Sequence, residues 1–151
     1  MKVMIRLLIV GIWLGLVLGI SFMEAPLKFQ APDITLALGL GIGRLVFGAL
    51  NKIEIVFSFL LIALHWNDFK ALNKLHLGSL ITLFIIVAIQ SVYLLPVLDE
   101  RAGVIISGQE PPASAHHLWY ILIEIVKVLS LFTLFYQLFK FSSLNNSNKK
   151  Q

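Results

Sequence analysis

Residues 116–139 read HHLWYILIEIVKVLSLFTLFYQLF. The run is apolar and long enough to cross a bilayer, which takes about 20 residues of helix. It nevertheless carries Tyr120, Glu124 and Lys127 on one helical face. A charge near the bilayer centre costs several kcal/mol unless it is paired or hydrated, so such residues face a protein interior and mark function. The stretch therefore reads as one crossing of a membrane protein with a polar interior.

The rest of the composition agrees. Of 151 residues, 58% are hydrophobic and 13% charged, and the mean hydropathy is +0.90. A water-soluble domain of this size carries roughly a quarter charged residues, so the deficit points to lipid as the main solvent and to a single membrane domain over residues 1–141. Cysteine is absent, which excludes disulfides, thiolate nucleophiles, Cys-ligated zinc and iron–sulfur clusters. The net charge of +4 does not indicate nucleic-acid binding, because the cations flank hydrophobic segments, where they set orientation.

Working outward from residues 116–139, three more crossings are expected, at about 7–23, 46–66 and 75–95, giving an all-α, polytopic four-helix bundle. A cleaved signal peptide is the rival reading of the first, with Lys2 and Arg6 as its basic region. Against it stand Gly11, Gly15 and Gly19 at i, i+4 and i+8, a spacing that lets a neighbouring helix approach closely. Pro26 and Pro32 are expected to break helix after the first span. Asp33 is expected to cap a short interfacial helix over residues 34–44. Residues 96–115 are expected to form a loop, with Pro111 and Pro112 as breakers, and the Asn/Ser/Lys-rich tail 142–151 to be disordered.

Basic residues set the expected orientation. Lys2, Arg6, Lys70, Lys74, Lys140, Lys149 and Lys150 fall on one side, with Asp68 as its acid. The other side mixes Lys28, Arg44, Lys52 and Arg101 with Glu24, Asp33, Glu54, Asp99, Glu100 and Glu110. The positive-inside rule then puts both termini in the cytoplasm, and in a bacterium the protein in the inner membrane.

The polar residues fall into stripes. Arg44, Asn51, Glu54, Ser58 and His65 share an arc of about 80° on the second span and its lead-in, at 100° per residue. His116, Tyr120, Glu124 and Lys127 share an arc of similar width on the fourth span, and His76, Ser79, Gln90 and Tyr93 make a looser stripe on the third. At about 1.5 Å per residue, Glu54 and Glu124 each lie about 12 Å below the outer boundary and Lys127 about 16 Å below it. These depths predict that the three meet. Arg44, Asn51, Gln90, His116 and Tyr120 would line an outward-open polar pocket above them.

A Glu124–Lys127 pair at i, i+3 also reads as a structural ion pair that fixes helix register. His65 and His76 read as interfacial residues. The adjacent His116 and His117 cannot chelate a metal from one face, and no metal set is expected. No nucleotide-binding loop, metalloprotease helix or serine elbow occurs, so no catalytic residue is assigned and no cofactor is specified.

The glycine-striped first span, then SFMEAPLKF at 21–29 and GLGIGRLVF at 39–47, resemble the small four-span families grouped around transmembrane-protein-205-like and copper-resistance-D-like membrane proteins. The likeness covers about the first third of the chain. It implies a four-helix membrane bundle and, in some members, a link to metal or haem handling.

Three functions remain open on the sequence. One is a protein that binds, or helps to move, a small polar solute, ion or proton. The second is a scaffold or assembly subunit that uses the glycine face to hold another membrane protein or a second copy. The third is a small membrane enzyme or haem protein. The expected partners are the lipid bilayer and such a membrane-protein partner or homo-oligomer, with no nucleic acid.

Overall fold

A computed structural model describes residues 2–69 and 72–148, with side chains through Ser143. Of the basic residues used for orientation, Lys70, Lys149 and Lys150 lie outside the described residues. Helix makes up 86% of the described residues, which contain no strand. Four helical bodies follow in order: α1 (Lys2–Gln30), α2 (Leu36–His65), α3 (Lys74–Ile106) and α4 (His116–Asn148). Each is long and apolar enough to span a bilayer.

The bundle runs up and down. α1 and α3 each pack against both α2 and α4. Arg6 at the start of α1 pairs with Asp68 just past the end of α2, and Ser142 near the end of α4 reaches Met4. The starts of α1 and α3 and the ends of α2 and α4 therefore share one face.

Burial is inverted relative to a soluble protein. Val92 is 81% exposed, Leu45 77% and Leu8 62%, whereas Lys127, Gln90 and His65 are fully buried. Large apolar side chains spread over the outer surface are stable only where lipid covers them. The chain is a multi-pass integral membrane protein. Its dry core, around Val10, Leu14, Val17, Leu61, Leu83 and Leu134, occupies the half of the bundle nearer the termini.

The sequence reading and the structure part company at the prolines and the caps. Pro26 and Pro96 do not end their helices. Each follows a π-helical segment, Leu18–Glu24 in α1 and Gln90–Leu94 in α3. There the Ala25 N–H donates to the Ile20 carbonyl and the Leu95 N–H to the Gln90 carbonyl. The widened turn shifts the carbonyls that a proline ring meets in a regular α-helix, so the helix continues through it. Residues 95–106 are thus helix and lie against α2, rather than forming part of a loop.

The separate interfacial helix over 34–44 is also corrected. These residues lead straight into α2, because nothing between Leu36 and Val46 breaks the hydrogen-bond ladder. The cap is not Asp33, which sits in the turn at φ +64°. It is Thr35, whose Oγ1 accepts from the Leu38 N–H at 3.2 Å. At the far end, α4 runs on through Ser142 to Asn148, where the tail was expected to leave helix.

The glycines of α1 differ in what they meet within the chain. A Cβ on Gly11 would meet Phe135 at 3.4 Å, but on Gly15 or Gly19 it would meet nothing within 4 Å. Within the chain, α1 packs through Val10, Trp13, Leu14 and Val17 instead. The close approach lies in α2, where a Cβ on Gly39 would run into the Phe29 ring and one on Gly43 would stand 3.1 Å from Lys28 Nζ.

Candidate ion site

Glu54, Glu124 and Lys127 meet. Lys127 Nζ donates to Glu54 Oε1 at 2.6 Å and to Glu124 Oε1 at 3.0 Å. Lys127 and Glu124 stand one turn apart on α4. Glu54 comes from α2 because residues 50, 51, 54, 58, 61 and 65 form that helix's inward face. Gln90, the first residue of the π-helical segment of α3, donates its Nε2 to Glu124 Oε1 at 3.2 Å. Trp13 of α1 donates its indole N–H to Glu54 Oε1 at 2.9 Å. All four helices thus contribute to one cluster, and no member is more than 1% exposed.

Of the remaining expected pocket residues, Tyr120 stays with the cluster and the others separate from it. Tyr120 is buried one turn before Glu124, its hydroxyl interacts with the Glu124 carboxylate and lies within electrostatic reach of Glu54, and its ring meets Phe47 edge-on at 5.6 Å. Asn51 is buried but turns to α3, donating to Ser91 Oγ at 2.9 Å. Arg44 does not join the cluster. It forms a two-point ion pair with Asp99, at 2.5 and 2.8 Å, near the protein surface. His116 also stays outside, 3.2 Å from the Tyr93 hydroxyl and 3.0 Å from Ser114 Oγ.

The sequence reading lost Arg44 because Asp99 was assigned to a loop, whereas the helix beyond Pro96 carries it onto α2. It missed Trp13 altogether. A tryptophan in the middle of an apolar span, away from either interface, needs an acceptor for its indole N–H, and that is a readable signal.

Two features bear on what the cluster can do chemically. It is closed, since Glu54, Glu124, Lys127, Gln90 and Trp13 are each no more than 1% exposed, and two grooves on the bundle surface, one along Thr35, Leu38, Gly41 and Ile106 and one between Ser79, Thr82, Ser130 and Thr133, include none of them. It is also incompletely bonded, since Glu124 Oε2 and Gln90 Oε1 are buried without a hydrogen-bond partner.

A second polar group lies at the face that holds the termini. His65 Nδ1 lies 2.8 Å from the Leu61 carbonyl, so it carries the proton and donates. That leaves His65 Nε2 as the acceptor for His76 Nε2–H at 3.0 Å. Both rings are buried within the protein. Nearby, Arg6 donates to Asp68 and to the Leu64 carbonyl, and the guanidinium holds the Asp68 carboxyl below the usual carboxylate range. Among the described residues no group of three or more His, Asp or Glu side chains converges as a metal site.

Comparisons of the chain with models of protein families, with curated proteins and with solved structures return no match. The functional reading therefore rests on the site itself.

Proposed function

We propose that the protein binds a proton or one small monovalent cation at the Glu54–Lys127–Glu124 cluster and exchanges it across the membrane face that carries Arg44 and Asp99. One observation carries this reading. Two carboxylates and one ammonium share a fully buried site, which is one positive charge short when both acids are ionised. Other cations are committed elsewhere: Arg6 to Asp68, Lys28 to Glu24 and Arg44 to Asp99. An uncompensated charge in low dielectric is costly, so the balance is met by a bound proton or cation. The unpartnered Glu124 Oε2 and Gln90 Oε1 supply oxygen acceptors for it. The closed packing favours an ion over a larger solute.

The side is inferred from structure and charge together. Lys2, Arg6, Lys74 and Lys140 lie at the face with the termini, separated from the cluster by the dry leucine core. That face is read as cytoplasmic, so exchange runs outward, past Tyr120 and Phe47.

Infrared difference spectra of the purified protein in nanodiscs, recorded between acidic and alkaline pH and with or without sodium or potassium, test this. A carboxyl C=O band that responds to pH or to the cation, and disappears in Glu54→Gln with Glu124→Gln, is expected. Native and variant spectra that differ in no carboxyl band would overturn the reading.

The open glycine face favours a second reading, in which α1 holds a partner helix. Gly15 and Gly19 leave their flank of the helix uncovered by this chain, and small residues at this spacing admit a helix in lipid. Co-purification of a stoichiometric membrane protein, or of a second copy, supports it.

A further inference from the structure

The stretch Ile53-Glu54-Ile55-Val56 recurs as Ile123-Glu124-Ile125-Val126. The same separation relates Ser21 to Ser91, Pro26 to Pro96, and Phe69 to Phe139. It also relates structure to structure. Both prolines follow the π-helical segments of α1 and α3, and positions at that separation are buried in both halves: Arg6 and His76, Val10 and Leu80, Trp13 and Leu83, Val17 and Val87, Leu50 and Tyr120, Leu61 and Leu131. The hairpins α1–α2 and α3–α4 enter from the same face. Parallel repeats of this kind are related by an axis along the membrane normal.

The repeat maps Glu54 onto Glu124, and both place an Oε1 on the same ammonium. It maps Lys127 onto Phe57. Phe57 stands three residues after Glu54, as Lys127 stands three after Glu124, and its ring is half-buried against Trp13 at 6.1 Å. We infer that the cluster is the junction of two copies of one helical hairpin, and that positions 57 and 127 are equivalent stations for an ammonium bridging its two carboxylates. Lys127 fills one station, and Phe57 leaves the other without a charge. These two positions therefore determine how many mobile cations the carboxylate pair accepts. The equivalence of the positions stands on its own, while the cation count rests on the proposed function.

Phe57→Lys in the full-length protein separates the two. If the stations are equivalent, the new ammonium meets Glu54 as Lys127 meets Glu124, and the melting temperature in detergent stays within about 4 °C of native, the scale of a 1 kcal/mol change in a chain of this size. Ile55→Lys, half-buried on the same helix but not equivalent to position 127, lowers it by more than about 10 °C, because its charge is buried without a partner. The exchange Phe57→Lys with Lys127→Phe is expected to melt well above Lys127→Phe alone. Equal damage from Phe57→Lys and Ile55→Lys, together with an exchange no better than Lys127→Phe, would overturn the equivalence.

In a stable Phe57→Lys protein the cluster holds two ammoniums and two carboxylates. The pH- or cation-responsive carboxyl band is then expected to vanish. A native-like melt with that band intact would leave the equivalence standing and sink the cation count and the function on which it rests.

Discussion

Lys127 is the residue on which the site turns, since its ammonium touches both carboxylates and has no exposure. Glu54→Gln with Glu124→Gln strands that ammonium in a low dielectric and is expected to cost about 3–5 kcal/mol, the usual penalty for removing the partners of a buried charge. Lys127→Met costs less, because a carboxyl without its cation can take up a proton. Combining all three substitutions recovers most of the loss, as apolar replacement of a buried ion pair often does. Thermal melts in detergent check the order, and a Lys127→Met protein less stable than the double glutamine variant contradicts it. Asp68 gives a separate prediction. Its carboxyl is held low by the Arg6 hydrogen bond, so this contact contributes above the unfolded carboxylate value near pH 4 and is lost as pH falls through the lower folded value. Melting temperature against pH should therefore drop more steeply below about pH 4 in the native protein than in Asp68→Asn. Parallel curves would show that the contact contributes nothing. At this scale the sequence was informative about which residues turn inward, because lipid cannot satisfy Glu54, Gln90, Glu124 or Lys127. Depth along the spans also brought Glu54, Glu124 and Lys127 together, but it was silent on the partners from outside the stripes that reach Glu54 and Arg44. Trp13 and Asp99 arrive from other helices, and periodicity along one helix carries no record of its neighbour.

Among the elements, the spans were legible and their ends were not. Length and hydropathy suffice for four crossings, but the proline rule failed at Pro26 and Pro96 because a π-helical segment precedes each and re-routes the hydrogen bonds. The glycine stripe of α1 was legible as a pattern, but which of its members meets a helix of the same chain was not: Gly11 faces Phe135, and Gly15 and Gly19 meet nothing within 4 Å. Its two parts now predict different outcomes. Gly11→Leu crowds Phe135, already 3.4 Å from where a Cβ would lie, and is expected to cost about 1–3 kcal/mol through overpacking. Gly15→Leu meets open space and should leave the melting temperature of the monomer unchanged. If α1 holds a partner helix, Gly15→Leu instead removes the larger species from size-exclusion profiles in mild detergent. Equal destabilisation by both substitutions would show that the α1–α4 contact extends past Gly11.

For the whole molecule, the basic residues at the face of the termini set the expected topology. Reporter fusions after Gln151 and within residues 67–73 are expected to read cytoplasmic, and a fusion near Gln109 external. An external C-terminal fusion would reverse the direction of exchange proposed for the cluster. Architecture at this scale followed from the length and hydropathy of the four apolar runs. The twofold repeat did not emerge from hydropathy, because both halves are apolar throughout. It emerges when Glu54 and Glu124, the same residue in the same four-residue setting, are seen to face one ammonium.

The sharing of Lys127 between two helices also bears on how the chain is made. Ribosomal synthesis delivers α2 to the membrane long before α4, so Glu54 enters without its counter-charge. α4 brings its own, because Glu124 and Lys127 lie one turn apart and can partition into lipid as a neutral unit. Until the last helix arrives Glu54 therefore has no ammonium beside it, and the unfinished three-helix product carries it as a protonated acid.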